Sequence, residues 1–309
     1  MVMQIKTAST GVQRIAAAKI NLYLHVTGRL TSGEQVGYHT LESLVAFAAI
    51  GDVISVQPAE TVSLKIDGPM SPGLHEGQED NLVIRAATAL AEYANISAGA
   101  AITLKKHLPV ASGIGGGSSD AAATLIALNA LWELSVPSPE LERLGLSLGA
   151  DVPVCLRGRA TMMTGVGERL APIAALPDTH IVLVNPGVTL STPAVFSALT
   201  LGSHEISALP STFADVDELV EELKLRGNDL EYPALSLQPI IRDVTDVLMA
   251  GPDCMLARMS GSGATCFGMF ADETAAVTCA DQIMIDHPDW WVVATRLIDD
   301  TERLQELAA

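Results

Sequence analysis

The sequence predicts an α+β protein of two domains, residues 1–178 and 179–309, and three observations carry that expectation. At 309 residues the chain exceeds one usual domain, and 49% hydrophobic residues supply ample material for a core. The first third alternates apolar and polar residues and is rich in β formers, as an antiparallel β layer requires. After Pro177 the expected elements run β-α-β-β-α-β once the middle helices are merged, the order of a ferredoxin-like split unit.

The β layer is assigned to residues 14–27, 40–47, 52–56 and 62–66, followed by a turn-rich loop at 69–80 (PMSPGLHEGQED). Asp80 is read as the cap of a helix running to about Tyr93. Residues 101–106 form a strand, and residues 118–134, dense in Ala and Leu, a helix. Ser138 caps the next helix, which Gly149 ends before an apolar strand at 152–156. In the second domain, strands are expected at 181–184, 255–259, 265–270 and 290–296. Helices are expected at 191–199, 214–225, 235–249 and 274–286.

A net charge of −18 repels polyanions, which argues against nucleic-acid or anionic-membrane binding. The longest apolar runs are too short to span a bilayer, and MVMQIKTAST lacks the features of a secretory leader. A soluble, cytoplasmic protein is the expectation, with monomer and homodimer both compatible. Four cysteines stand singly, without metal-ligand spacing, and read as free buried thiols; no metal site is assigned.

The stretch PVASGIGGGSSDAA (residues 109–122) lies between a strand and a strong helix. Bare backbone N–H groups and the positive end of a helix make a seat for phosphate. It is neither a Walker A loop, lacking Lys-Ser/Thr, nor a dinucleotide fingerprint, since Ser118 holds the third glycine position. A flexible turn with a serine cap is the plain alternative; three consecutive glycines opening so strong a helix favour binding.

Lys19 and Asn21 share one face of the apolar strand AAAKINLYLHV. Lys19 either snorkels at a sheet edge or faces a polar partner. Asp151 either bonds its own turn or, beside the phosphate loop, takes a substrate proton, with a nearby lysine keeping it ionised. Tyr38 and His39 are either half-buried or placed to stack on a base and read its edge. The turn MSGSGA (residues 259–264) is explained by a hairpin, and Asn228-Asp229 by a helix cap.

These pieces, in this order and over nearly the whole chain, resemble the GHMP kinase superfamily. Its three motifs are matched by the strand with Lys19, the triple-glycine loop and MSGSGATCF. AKINLYLHVTGR, GYHTLESLV, EDNLVIRAA, LGADVPVCLRG, STPAVF and GNDLE narrow the resemblance to the branch acting on a cytidine diphosphate-linked methylerythritol. It implies an N-terminal ribosomal-protein-S5-like α/β domain and a C-terminal ferredoxin-like domain that completes the substrate site. It implies phosphoryl transfer from ATP, with Mg2+, to the acceptor's 2-hydroxyl on the non-mevalonate isoprenoid route. Asp151 then matches the catalytic base, Lys19 its assistant, and Asn21 the neighbour of that lysine.

Tyr38 and Phe196 match the aromatics enclosing the cytosine, and His39 the reader of its edge. Asn81, Leu82 and Lys106 fall at the adenine contacts. Pro109 opens the phosphate loop, in which Gly113, Gly115, Gly116, Gly117, Ser118 and Ser119 cradle the nucleotide. Thr192, Asp229, Gly261, Ser262 and Gly263 align with further active-site segments. One departure concerns SGEQVGYH: it carries extra residues, and Val36 stands where the branch has Asp, so the contacts before Tyr38 are altered. The competing expectations are a superfamily kinase for homoserine or mevalonate, which would waste aromatics meant for a base, and a nucleotide-binding regulator without catalysis, which would need neither Lys19 nor Asp151.

Overall fold

The computed structural model describes residues 11–32, 36–74, 80–200 and 208–307. The reading of residues 1–10 and that of the extra loop positions 33–35 lie outside the described residues. The first half runs β1 (Val12–Arg29), β2 (His39–Ala59), β3 (Val62–Asp67), α1 (Leu82–Ala94), β4 (Gly99–Lys105), α2 (Gly116–Leu131), α3 (Ser138–Leu148), α4 (Val152–Arg157), β5 (Thr161–Gly165) and β6 (Arg169–Pro172). The second runs β7 (His180–Asn185), α5 (Thr192–Ser197), α6 (Val216–Lys224), α7 (Glu231–Leu237), α8 (Ile240–Met249), β8 (Leu256–Met259), β9 (Cys266–Phe270), α9 (Glu273–Asp286), β10 (Trp291–Ile298) and α10 (Glu302–Leu307).

β2 is the spine of the first half, pairing antiparallel with β1, β4 and β5, while β3 lies parallel to β4. In the second half the order β10-β7-β9-β8, antiparallel throughout, is that of the expected split unit. β10 also pairs with β2 through Leu297↔Ala48 and Ile298↔Phe47, which joins the two halves in one sheet. One apolar cluster, including Phe47, Leu90, Ile102, Leu128 and Trp132, fills the space between the first sheet and α1 and α2. Another gathers Val184, Val244, Met259, Phe270 and Ile283 under α8 and α9. Burying such side chains contributes roughly 1.5–3 kcal/mol each before entropy is charged against it.

Several expectations need correction. Residues 40–47 and 52–56 belong to one strand, β2, because a bulge against β1 between Ala17 and Lys19 absorbs the break expected between Phe47 and Asp52. The apolar run after Asp151 is a helix: five apolar residues fit either element, and Pro153 suits a helical first turn. Asn81, not Asp80, caps α1, accepting from Val83 N at 2.9 Å. Ser138 lies inside α3, whose cap position is Pro137. The helix expected at 235–249 is two, interrupted at Gln238 and Pro239. β5, β6 and α10 are elements that no sequence pattern announced. Among the described residues no helix is long and apolar enough to cross a membrane.

Candidate active site

Where β1, the glycine loop and the turn after β8 converge, a cavity of about 930 Å³ opens. The loop owes its close approach to two glycines. Gly113 has φ +76°, and a Cβ there would stand 2.4 Å from Ser260 O. Gly115 has φ +65°, and its Cβ would meet the Lys19 side chain at 3.0 Å. Backbone bonds complete the seam: Lys19 N donates to Ile114 O at 2.9 Å and Thr265 N to Ser112 O at 3.0 Å. Ser260, fully buried, accepts from Asn21 N and donates to Gly113 O, so one hydroxyl ties strand, loop and turn.

α2 begins at Gly116 without any side-chain cap. The N–H groups of Gly116, Gly117 and Ser118 therefore point outward at the positive end of a 16-residue helix. All three residues line the cavity. Ser119 does not: it is buried, and its hydroxyl donates to Ala17 O at 2.7 Å. Of the expected loop residues, Ser119 thus faces the protein rather than the cavity.

Beside this helix end lies a charged pair. Lys19 is 3% exposed and donates to Asp151 Oδ2 and to Asn21 Oδ1, both at 2.8 Å. Asn21 Nδ2 donates to Ser43 Oγ at 2.7 Å, and Ser43 donates to Tyr23 O, so the amide orientation is fixed from behind. Asp151 sits at the cap position of α4 but makes no capping bond, which leaves its half-exposed carboxylate for Lys19 and for the cavity. The local-turn reading of Asp151 gives way to the partnered one.

Tyr38, His39 and Phe196 line the same cavity, as do Asn81, Leu82 and Pro109. The rings of His39 and Phe196 stack with centroids 5.0 Å apart and 22° between planes. Burial, and then the charge of Arg29, lower the His39 pKa from its ordinary value, which favours the neutral ring. Arg29 Nε donates to Gly37 O at 2.6 Å and braces the hairpin that carries both residues. Thr192 and Ser262 share a hydrogen bond of 2.7 Å at the cavity wall, next to Gly261.

Gly263 and Asp229 lie off the lining: Asp229 Oδ2 accepts from Val26 N at 2.7 Å and supports β1 from behind. Asn228 donates to Met259 O and Gly261 O, holding the turn. Lys106 reaches the cavity wall, but its ammonium is committed to Asp52 and Asp120. Sequence reasoning missed these two aspartates. Asp120 lies within the glycine motif itself, and Asp52 is an acid inside an apolar strand run; both were signals. Among the described residues no group of three or more His, Cys, Asp or Glu is arranged to hold a metal.

Comparison with known proteins gives this geometry a family. Residues 81–159 match the GHMP kinases N terminal domain and residues 206–286 the GHMP kinases C terminal domain. A 4-diphosphocytidyl-2-C-methyl-D-erythritol kinase of Rhodospirillum rubrum is 47% identical, the alignment covering 96% of each chain. One of Cereibacter sphaeroides is 51% identical over 93% of this chain and 99% of its own. A crystal structure of 4-(cytidine 5'-diphospho)-2C-methyl-D-erythritol kinase superposes with a TM-score of 0.74 at 35% identity, covering 93% of this chain and 99% of that one. A homoserine kinase from Cytophaga hutchinsonii, 15% identical with a TM-score of 0.67, shares the fold alone. The chain belongs to the GHMP kinases, in the family of the 4-diphosphocytidyl-2-C-methyl-D-erythritol kinases.

Proposed function

We propose that this protein transfers the γ-phosphoryl group of ATP to the 2-hydroxyl of 4-diphosphocytidyl-2-C-methyl-D-erythritol, on the non-mevalonate route to isoprenoid precursors. The observation that carries the reading is the Lys19–Asp151 contact of 2.8 Å, in one cavity with the open end of α2 and with Tyr38, His39 and Phe196. The helix end and loop amides seat the phosphates, and Asn81 and Leu82 lie at the adenine side. The aromatic group takes the cytosine, placing the methylerythritol hydroxyl toward Asp151.

In the reaction the acceptor oxygen forms a bond to the γ-phosphorus while the bond to the β–γ bridging oxygen breaks. ADP leaves, and the hydroxyl proton passes to Asp151. Lys19, 2.8 Å from Asp151, orients its carboxylate and stabilises negative charge developing on the acceptor oxygen. Phosphoryl transfer asks mainly for positioning and charge neutralisation, which this inventory supplies. Mg2+ takes most of its ligands from nucleotide phosphates and water, so it is expected to enter with ATP, where it neutralises phosphate charge.

The net charge of −18 argues against a nucleic-acid partner and is compatible with small anionic substrates, the phosphate seat being local; the expected location is the cytoplasm. Residues 1–178 and 179–309 remain our proposed domain division. The test is ADP release from Mg-ATP with three acceptors. Brisk turnover of the cytidine-linked substrate and none of homoserine or mevalonate is expected; the reverse overturns the reading. Absence of turnover with all three returns the protein to the class of nucleotide-binding regulators.

A further inference from the structure

Beneath the glycine loop lies a second charged cluster that the proposed reaction leaves unused. Lys106, 4% exposed, donates to Asp52 Oδ2 on β2 and, at 2.9 Å, to Asp120 Oδ2 on α2. Asp52 Oδ1 accepts from His107 N at 2.6 Å and from Leu108 N at 2.9 Å. The cluster therefore holds both the chain that enters the loop and the helix that leaves it. A Cβ on Gly116, the first residue of α2, would lie 3.5 Å from Lys106 Nζ and 3.8 Å from Asp52 Oδ2. The charges sit directly under the phosphate seat.

Two carboxylates on one ammonium leave a surplus negative charge. Asp120 Oδ1 is buried and accepts no hydrogen bond. A buried carboxylate oxygen without a donor is costly, and a proton placed on it removes the charge. Among the described residues the neighbouring elements bring no further charged side chain to bear on Asp120. α1 turns Val83, Ala86, Ala87 and Leu90 inward, and α3 turns in Leu141, Gly145 and Leu148. α4 brings the Cys155 thiol, pushed up to about 12 chiefly by burial, and the Lys19 of β1 is already held by Asp151. Burial above all raises the Asp120 carboxyl to about 7; Lys106 pulls it down and Asp52 pushes it up.

We propose that Asp120 is a positioning residue of the nucleotide site that holds the ATP-loaded phosphate loop as its neutral acid, so that seating ATP draws a proton from solvent onto Asp120 Oδ1. The proposal rests on the reading of residues 113–119 as the ATP seat. Phosphate charge above the helix end disfavours a second negative charge below it. When product and ADP leave, the proton returns to solvent. The sign follows from linkage: ATP binding strengthens the protonated form, so affinity is greatest below about pH 7 and falls as pH rises through it. Each unit by which ATP raises the Asp120 pKa corresponds to about a tenfold change in affinity.

The test is calorimetric titration of wild type and Asp120→Asn with Mg-ATP, at pH 7 in buffers of different ionisation enthalpy. Asn keeps an oxygen for Lys106 and carries no charge. Wild type is expected to take up about half a proton more than the variant. Its Kd should also weaken about threefold to tenfold between pH 6.5 and 8.5, beyond any change in Asp120→Asn. Equal uptake by both forms overturns the proposal and leaves the ATP seat standing. Failure of both to bind ATP overturns the seat and the proposal with it. Should Asp120→Asn not fold, carboxyl NMR of ¹³C-aspartate-labelled wild type decides. A resonance titrating near neutrality and moving upward with ATP is expected; titration of every aspartate below about pH 5 overturns the proposal.

Discussion

Lys19 Nζ and Asp151 Oδ2 stand 2.8 Å apart although 132 positions separate the residues along the chain. The meeting depends on backbone more than on the pair itself. Lys19 N is pinned to Ile114 O, and Gly115 leaves room for the lysine stem that a Cβ would crowd. The ammonium is buried while the carboxylate is half exposed, so Asp151 is the member able to reach a substrate.

Asp151→Asn keeps the size of the side chain and removes the proton acceptor. kcat is expected to fall about 10²-fold or more, with the Kd for ATP nearly unchanged. Single-turnover measurement of phosphoryl transfer, beside equilibrium ATP binding, checks both halves. A kcat within a few-fold of wild type would remove Asp151 from the role of base.

Arg29 offers a separate handle on the acceptor. It braces Gly37 O at 2.6 Å, and its charge helps to lower the His39 pKa. Arg29→Ala is expected to raise the acceptor KM about threefold to tenfold, as lost preorganisation of a charged hydrogen bond would, leaving the KM for ATP unmoved. The His39 ring should at the same time titrate at higher pH, so the acceptor KM begins to rise at a higher pH as solutions are acidified. Histidine NMR and KM–pH profiles read the two effects; a stationary His39 resonance would deny the electrostatic link.

Tyr38 is exposed beside the stacked His39–Phe196 pair. Tyr38→Ala should raise the acceptor KM by about 10-fold, the worth of one lost aromatic contact, without changing ATP binding. Phe196→Ala should cost at least as much, because it also frees His39. An unchanged acceptor KM in both variants would deny the base site.

Much of this was legible in the sequence for a definite reason. α2 is specified locally by alanine-rich helix propensity, and the split unit is legible from the order of its elements. The glycine loop advertises itself because Gly113 and Gly115 combine left-handed dihedrals with contacts too close for a Cβ. The run VPVCLR did not declare itself, since a short apolar segment has no period to read and only its packing against α2 and α3 makes it helical. Ser43, Ser260 and Asn228 were not legible as site residues because their roles are hydrogen bonds between distant segments, which leave no local pattern. The Asp52–Lys106–Asp120 cluster was half visible: Asp52 breaks an apolar run and Asp120 lies in the glycine motif, yet their convergence on one ammonium follows from the fold.

Gly113 and Gly187 share φ +76° and differ in what surrounds them, which separates backbone strain from crowding. At Gly187 a Cβ meets only Asp289 O at 3.9 Å, an ordinary contact. Gly187→Ala should therefore cost about 1–2 kcal/mol of stability through the left-handed conformation alone, with kinetics unchanged. At Gly113 the Cβ would stand 2.4 Å from Ser260 O and 2.6 Å from Gly263 N, both backbone atoms unable to yield separately. Ser260 also accepts from Asn21 N, so the displacement reaches the residue that holds Lys19. Gly113→Ala is expected to lower Tm by at least about 4 °C more than Gly187→Ala, and to raise the ATP KM while reducing kcat. Thermal denaturation and steady-state kinetics on the two variants decide: equal losses in both would mean that the loop and the turn after β8 do not press on one another.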